Sequence, residues 1–366
     1  MAAAAPLAVL GGGAIGQLVA AHAARAGRPV SLLLRPEAHE RFQAQGRLLR
    51  LDVADAAAAG GWRTLEARLA HSEPVQPAAR GGPAGPSGGG GQPLAALLLA
   101  TKATAAAGAL RAVAGRLGRD SVVALTQNGA MGLHERLLDE VFPDAAARPS
   151  FVLISVTHGA HRLSEFHARH AGAGQLLSGL APPAGFGGAQ AQAPPLPPSA
   201  EALLAALEAV PELGLVRLPS AGALRAALSA KLACSCVLNP LTALLRCRNG
   251  ALLEEPHARR LLRALAAECA AVLAPDMLAG GGDAGDVEAR VVASVEAVVR
   301  GTAANTSSML TDVAAGAQTE VDFLTGHLLR LADARGIPAP THALVFSLIK
   351  AADGLAAARP SEPATS

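Results

Sequence analysis

Aromatic side chains are nearly missing from this sequence: of 366 residues seven are Phe, one is Trp and none is Tyr. A surface that holds single-stranded nucleic acid by stacking its bases needs such rings, so that class is excluded. The core has to rest on Leu, Val, Ile and Ala instead. Charge of one sign is missing as well. The 31 Lys and Arg stand against 29 Asp and Glu, a net of +2, and no dense basic block offers itself to a nucleic acid or a membrane surface. No uncharged apolar run of about 18 residues occurs, so no membrane span is expected. The N-terminal MAAAAP enters an apolar strand without a basic leader or a separate hydrophobic segment. Cysteine is scarce, at four. Cys234, Cys236 and Cys247 lie close together, but C-x-C-x10-C lacks the paired CxxC of a structural zinc site and no histidine pair completes it. With Cys269 they are expected to be buried free thiols, in a reducing, cytoplasmic setting and with no metal.

What is present is a strand and helix alternation. The chain is long enough for two domains, each with its own core. Leu7 to Leu10 is an apolar run ending in GGGAIG, a helical pattern follows through Leu18, Val19, Ala23 and Ala24, and Pro29 to Leu34 reads as a second strand. Strand, glycine turn, helix and strand in about thirty residues is the βαβ unit of a parallel sheet. Leu94–Ala100, Ser121–Leu125 and Phe151–Val156 read as further strands, with a helix over Ala105–Leu117. Each strand ends in polar residues, which suits a doubly wound sheet whose ligands bind at the strands' carboxyl ends. Two low-complexity stretches, Pro74–Gln92 and Ala181–Ser199, read as surface insertions. From about Ala221 strand signals stop and long helical patterns take over. Val321, Leu324, Leu328 and Leu331 mark one helix, with Thr319 as its N-cap, Glu320 and Asp322 in its first turn and Gly336 at its end. The expected architecture is an α/β, Rossmann-like doubly wound N-terminal domain over 1–220 and an all-α C-terminal domain over 221–355, with a tail at 356–366.

G-x-G-x-x-G is a weak signal by itself, and gains weight here because it follows a strand and opens a helix. Gly11 permits the tight turn, Gly13 lets backbone approach a pyrophosphate, and Gly16 lets helix and strand pack closely. With Ala14 and Ile15 they form a helix start whose unpaired N–H groups and positive dipole end suit phosphate. At the end of the second strand, where NAD sites place an acid and NADP sites an arginine, stands Arg35, with no acid before Glu37. A solvated surface arginine is the bland alternative.

In AKLACSCVLNPLTALLRCRNG, Lys231, Ser235 and Asn239 recur at every fourth residue and share a helix face until Pro240, which is expected to kink the helix. A partly buried lysine beside a carbonyl substrate can protonate the alkoxide made by hydride transfer. Spacing alone favours a lysine on a solvated face. In NTSSMLTDVAAGAQTEVD, Ser308 and Asp312 are one turn apart and Glu320 follows the Gly316 loop. A hydroxyl suits a substrate carboxylate and a carboxylate can orient the lysine, although Ser and Asp at helix starts are more often caps.

Together these segments resemble the ketopantoate reductase (2-dehydropantoate 2-reductase) family over nearly the whole chain, apart from the two insertions and the tail. VLGGGAIGQL resembles its cofactor turn, LLLATKA and TQNGAMG its next two signatures, and KLACSCVLNPLTAL…NG and SSMLTDV…TEVDFLTG its second-domain signatures. By matching position the resemblance implies Lys231 as the general acid and Glu320 as its carboxylate partner. Asn239, Asn249 and Ser308 match substrate-binding positions, Ser308 toward the carboxylate. Lys102 and Asn128 match groups near the nicotinamide and substrate, and Arg35 matches the reader of the NADPH 2′-phosphate. Ser235 matches another substrate-facing position, where it departs from the family's asparagine; a serine cannot donate and accept as an amide does. The activity implied is NADPH-dependent reduction of 2-dehydropantoate to (R)-pantoate in pantothenate biosynthesis, by a monomer or homodimer with a small 2-oxo acid as partner. Reduction of another branched 2-oxo acid and a silent NADPH-binding role are the rivals.

Overall fold

The computed structural model describes residues 6–76, 91–183, 196–279 and 285–358. The central parts of both sequence insertions, 77–90 and 184–195, and most of the expected tail lie outside the described residues. The chain divides into two compact units, Met1–Leu224 and Arg225–Ser366.

The first unit runs β1 Leu7–Leu10, α1 Ala14–Arg25, β2 Val30–Leu34, α2 Pro36–Ala44, β3 Leu48–Ala54, β4 Trp62–Arg68 and β5 His71–Pro74. It continues β6 Ala96–Leu99, α3 Ala103–Arg111, β7 Val122–Leu125, α4 Ala130–Glu140 and β8 Ser150–Val156. Then come β9 Gly159–Ser164, β10 His167–Gly172, β11 Leu176–Leu180, α5 Pro198–Glu208 and β12 Leu215–Arg217. The main sheet has the order β12-β11-β8-β7-β6-β1-β2-β5. It is parallel from β5 through β8, and β11 is antiparallel to β8. From β1 the chain winds outward through β2 to β5 and then returns to β6 on the other side of β1, which puts the topological switch point between β1 and β6. Strands β1, β2 and β7 are buried at every position, which is why they read as unbroken apolar runs.

A second sheet, β4-β3-β10-β9, was not expected from the sequence. Helix α1 touches β1 and β2 and all four strands of this second sheet. Its residues from Gly16 to Ala23 are consecutively buried, as a helix covered on both sides requires. Asp52 holds the second sheet together: its carboxylate accepts from Thr64 (2.8 Å), His167 (2.9 Å) and Arg169 (3.0 Å). Burial works against its ionisation, yet those donors hold its pKa at about 2. Two further expectations are corrected here. The helix expected over Ala105–Leu117 is α3 followed by a separate 3-10 turn at Ala114–Arg116, and the start of the first expected insertion belongs to β5.

The second unit is helical: α6 Ala221–Leu245 (its first turn precedes the boundary), α7 Ala251–Glu254, α8 Pro256–Leu278, α9 Val287–Gly301, α10 Ser308–Ala314, α11 Thr325–Arg335 and α12 Pro340–Ala357. Among the described residues α6 alone is long and apolar enough by composition to cross a membrane, but 61% of its most apolar window is buried in the protein, the state of a core helix. Pro240, where a kink is expected, lies inside this one continuous helix. The N-terminus of α12 is capped from α8: Glu268 accepts the N–H groups of Thr341 (2.8 Å) and His342 (2.9 Å). Arg335 Nη2 donates to both carboxylate oxygens of buried Asp276 at 2.8 Å, tying α11 to α8.

Candidate active site

At the switch point the glycine turn is set by crowding. Gly11 has φ +112°, and a Cβ there would lie 2.9 Å from both Cγ2 and N of Thr101 at the end of β6. A Cβ on Gly16 would lie 2.4 Å from the Gly11 carbonyl oxygen, so neither position admits a side chain. Gly13 is the N-cap of α1, and no side chain among the described residues caps it. The first N–H groups of α1 are therefore left to face an anion, the condition that suits a pyrophosphate. Gln17 holds the turn from behind, donating from Nε2 to the Gly12 carbonyl at 2.8 Å.

The neighbouring loops are tied to the turn. Thr126 and Gln127, after β7, donate to the Leu99 carbonyl at 3.0 and 2.9 Å, and Gln127 donates also to Thr101 O at 3.1 Å. These bonds fix the segment that carries Lys102, the exposed N-cap residue of α3. Half-buried Asn128 follows, ahead of Gly129, whose φ of 69° turns the chain into α4. Thr101 Oγ1 and Gln127 Oε1 are buried with no partner among the described residues, which leaves polar capacity at this edge for a bound group. Arg35 is exposed at the end of β2 and caps α2 by position. Nearby Arg41 makes a bidentate pair with Glu165 at 2.6 and 2.8 Å. Sequence reasoning missed Gln17, Thr126 and Gln127, since nothing local marks an amide or hydroxyl as a loop tether.

In the second unit Lys231 and Ser235 are half-buried and Asn239 is buried along α6. Burial pushes the Lys231 pKa down to about 8, and the negative charge of Glu320 acts in the opposite direction. Glu320 thus belongs to the same unit as Lys231 and its charge acts on the ammonium. Glu320 does not open a helix, however. Its segment is a turn, and α11 starts only at Thr325. Thr319 is no N-cap either: its N–H and hydroxyl go to Asp353 on α12, the hydroxyl at 2.8 Å. Asp322 pairs with Lys350 at 2.9 Å. Glu320 is therefore held by anchors on both sides to α12, which positions a carboxylate without needing helix geometry.

Ser308 is the exposed first residue of α10, and the cap is its buried neighbour Ser307, which accepts the Leu310 N–H at 3.1 Å. Asp312 is buried on the same helix. Asn249 is buried in the turn after α6. Its Nδ2 donates to Thr302 Oγ1 at 2.9 Å and its N–H to Asn305 O at 3.1 Å, while Oδ1 has no partner among the described residues.

Two family descriptions match this chain: "Ketopantoate reductase PanE/ApbA" over residues 7–183 and "Ketopantoate reductase PanE/ApbA C terminal" over residues 223–353. The 2-dehydropantoate 2-reductase of Vibrio cholerae is 30% identical over 256 residues, covering 69% of this chain and 76% of that protein. The chain belongs to the ketopantoate reductase family. The enzyme of the same name from Yersinia pestis is 41% identical over a shorter stretch of 120 residues, 33% of this chain and 37% of its own length. In fold, a ternary structure of D-mandelate dehydrogenase with NADH and anilino(oxo)acetate superposes with a TM-score of 0.74 at 18% identity, covering 97% of this chain and 100% of the other. As a ketopantoate reductase family member the protein is an oxidoreductase, with a Rossmann-like parallel sheet in one unit and an all-helical second unit.

One constellation in this family member resembles a nucleophile with its base and is not one. Cys269 Sγ lies 3.4 Å from His342 Nε2, and His342 Nδ1 lies 2.9 Å from Glu268. Burial drives the Cys269 thiol well above its ordinary pKa, and both Cys269 and His342 are fully buried, so no substrate reaches them. Cys236 is buried too, Cys234 and Cys247 are partly so, and all four thiols are free. No group of three or more His, Cys, Asp or Glu among the described residues could hold a metal ion.

Proposed function

We propose that the protein reduces 2-dehydropantoate (ketopantoate) to (R)-pantoate with NADPH, the reductive step toward pantothenate and coenzyme A. The observation that carries this reading is the match to both ketopantoate reductase descriptions. Lys231 on α6 supports it, its pKa brought down by burial to about 8 with the charge of Glu320 acting on it. At pH 7 such a group is about nine-tenths protonated, yet acidic enough to give its proton to a forming alkoxide. Lys231 then takes a proton back from solvent. Glu320 keeps the ammonium form populated, and Asn239, Asn249 and Ser308 are assigned to the substrate's polar groups. Ser308 offers a hydroxyl donor to the carboxylate, and Asn249 Oδ1, an acceptor, suits a hydroxyl.

The cofactor would be held by the turn from Gly11 through Gly13, Ala14, Ile15 and Gly16 and by Lys102 and Asn128. Arg35 would pair with the 2′-phosphate, which favours NADPH over NADH. The bound cofactor supplies the hydride that adds to the 2-oxo carbon. A second reading, reduction of another branched 2-oxo acid, is favoured by Ser235, which is shorter than the asparagine of the family pattern. The same scaffold also serves D-mandelate dehydrogenase.

The test is NADPH oxidation, followed by absorbance, with ketopantoate and a panel of branched 2-oxo acids. Turnover of ketopantoate at the highest kcat/KM is expected, and Lys231→Ala should lower kcat at least about a hundredfold with NADPH binding intact. Folded, NADPH-binding protein that ignores ketopantoate would remove the reading; preference for another acid would establish the second one. Arg35→Glu should weaken NADPH far more than NADH, and equal effects would refute the NADPH assignment.

A further inference from the structure

Thr242 is completely buried on α6, three residues beyond Asn239. Its hydroxyl lies 2.9 Å from Leu238 O, 3.0 Å from Asn239 O and 2.7 Å from the Ser307 hydroxyl. A hydroxyl has one proton, and carbonyl oxygens only accept. Thr242 therefore donates within α6, to the Leu238 and Asn239 carbonyls, and Ser307 donates to Thr242. The reverse direction would leave the buried Ser307 proton with no acceptor among the described residues. Ser307 Oγ in turn accepts the Leu310 N–H at 3.1 Å. The bonds form a one-way chain from Leu310 N–H through Ser307 to Thr242 and on to the backbone at Asn239.

The place of this chain in the fold matters. Pro240 has no N–H, so the helical ladder of α6 lacks one donor next to Asn239. Thr242 restrains that turn. At the other end, Ser307 is the N-cap of α10 and immediately precedes Ser308. Two buried hydroxyls thus join the backbone of one substrate-binding candidate, Asn239, to the first turn of the helix that begins at another, Ser308, across 65 residues of sequence.

We propose that Thr242 and Ser307 are positioning residues, whose hydroxyl pair sets Asn239 and Ser308 at the separation that a 2-oxo acid substrate requires. This rests on the reaction proposed above. Removing the pair should weaken substrate binding and leave the proton donor and the cofactor turn in place.

The experiment is steady-state kinetics on the full chain with ketopantoate, or with whichever 2-oxo acid the wild type reduces best. Thr242→Val keeps the side chain's shape and deprives Ser307 of its acceptor. The expected result is a rise of about tenfold in KM, with kcat within about twofold and the NADPH Kd unchanged. Thr242→Ser should restore the wild-type KM, and Ser307→Ala should raise it. In Thr242→Val/Ser307→Ala the rise should be smaller than the product of the two single rises, because both variants remove the same Thr242–Ser307 bond. Should Thr242→Val fail to fold, Ser307→Ala and Thr242→Ser carry the same comparison. A KM within about twofold of wild type in folded Thr242→Val or Ser307→Ala, or loss of kcat at constant KM, overturns the inference alone. Wild-type protein that reduces no 2-oxo acid overturns the proposed reaction and this inference together.

Discussion

Glu320→Gln isolates the electrostatics of the lysine. In the folded protein two effects oppose each other at Lys231: burial disfavours the ammonium and brings the pKa down to about 8, and the Glu320 carboxylate favours the ammonium. A neutral glutamine leaves burial unopposed, so the pKa drops further, by roughly one unit for one nearby opposite charge. The sign for catalysis follows from the role. Lys231 must be protonated to donate, so activity is lost as pH rises through its pKa. In wild type the alkaline limb of kcat/KM should fall near pH 8, and in Glu320→Gln near pH 7. At pH 7.5 the protonated fraction would decline from about three-quarters to about one-quarter, a loss of about threefold on top of any direct substrate contact, while at pH 6 the titration costs nearly nothing. The assay is NADPH oxidation across pH 5.5 to 9.5 under conditions proportional to kcat/KM, with Lys231→Arg as the control that keeps a charge and cannot donate. An alkaline limb that stays in place or moves upward in Glu320→Gln would refute both the coupling and the role of Lys231 as the acid.

Two predictions concern the first unit. Gly16→Ala places a methyl 2.4 Å from the Gly11 carbonyl oxygen, so the turn must open; an NADPH Kd at least about tenfold weaker and a stability loss of about 2 kcal/mol are expected, read by fluorescence titration and urea unfolding. Unchanged affinity would separate the turn from cofactor binding. His22 is 4% exposed on α1, with His170, His158, Glu212 and Arg25 acting on it, and burial leads in lowering its pKa from 6.5 to about 4. Its folded pKa is the lower one, so its contribution is fully present above pH 6.5 and is lost as pH falls toward 4, about 2.5 kcal/mol by pH 4.5. The sole tryptophan, Trp62, lies in this unit and reports its unfolding; His22→Gln should flatten the pH dependence between 6.5 and 4.5, and an unaltered slope would refute the assignment.

Much of the doubly wound sheet is legible along the chain because its signals are local. Strands β1, β2 and β7 are buried on both faces and read as apolar runs, and the glycine turn joins strand to helix within six residues. The second sheet was overlooked although a signal existed: in LLRLDV, Leu49 and Leu51 are buried and alternate with exposed Arg50, and Leu65 and Ala67 alternate likewise in β4. Its central pairing, β3 with β10, joins residues more than a hundred positions apart, and no local pattern announces a partner at that distance. The turn at Glu320 misled for a related reason. Thr319, Glu320 and Asp322 look like a capped helix start, but Thr319 and Asp322 bond to Asp353 and Lys350 on another helix instead, and a tertiary bond outcompeted the cap.

What the sequence by itself determined is the set of chemical groups and their local frames: a glycine turn at a helix start, an arginine at the end of the next strand, a lysine on a helix stripe, and a family pattern that links them. Only the tertiary structure decided what those groups are worth. The pKa of Lys231 is set by burial, which lowers it, against a carboxylate 89 positions away in the sequence, which raises it, and the bond between Thr242 and Ser307 spans two helices. A pKa and a hydrogen bond depend on distance and dielectric in three dimensions, and neither quantity is carried by the order of residues along the chain.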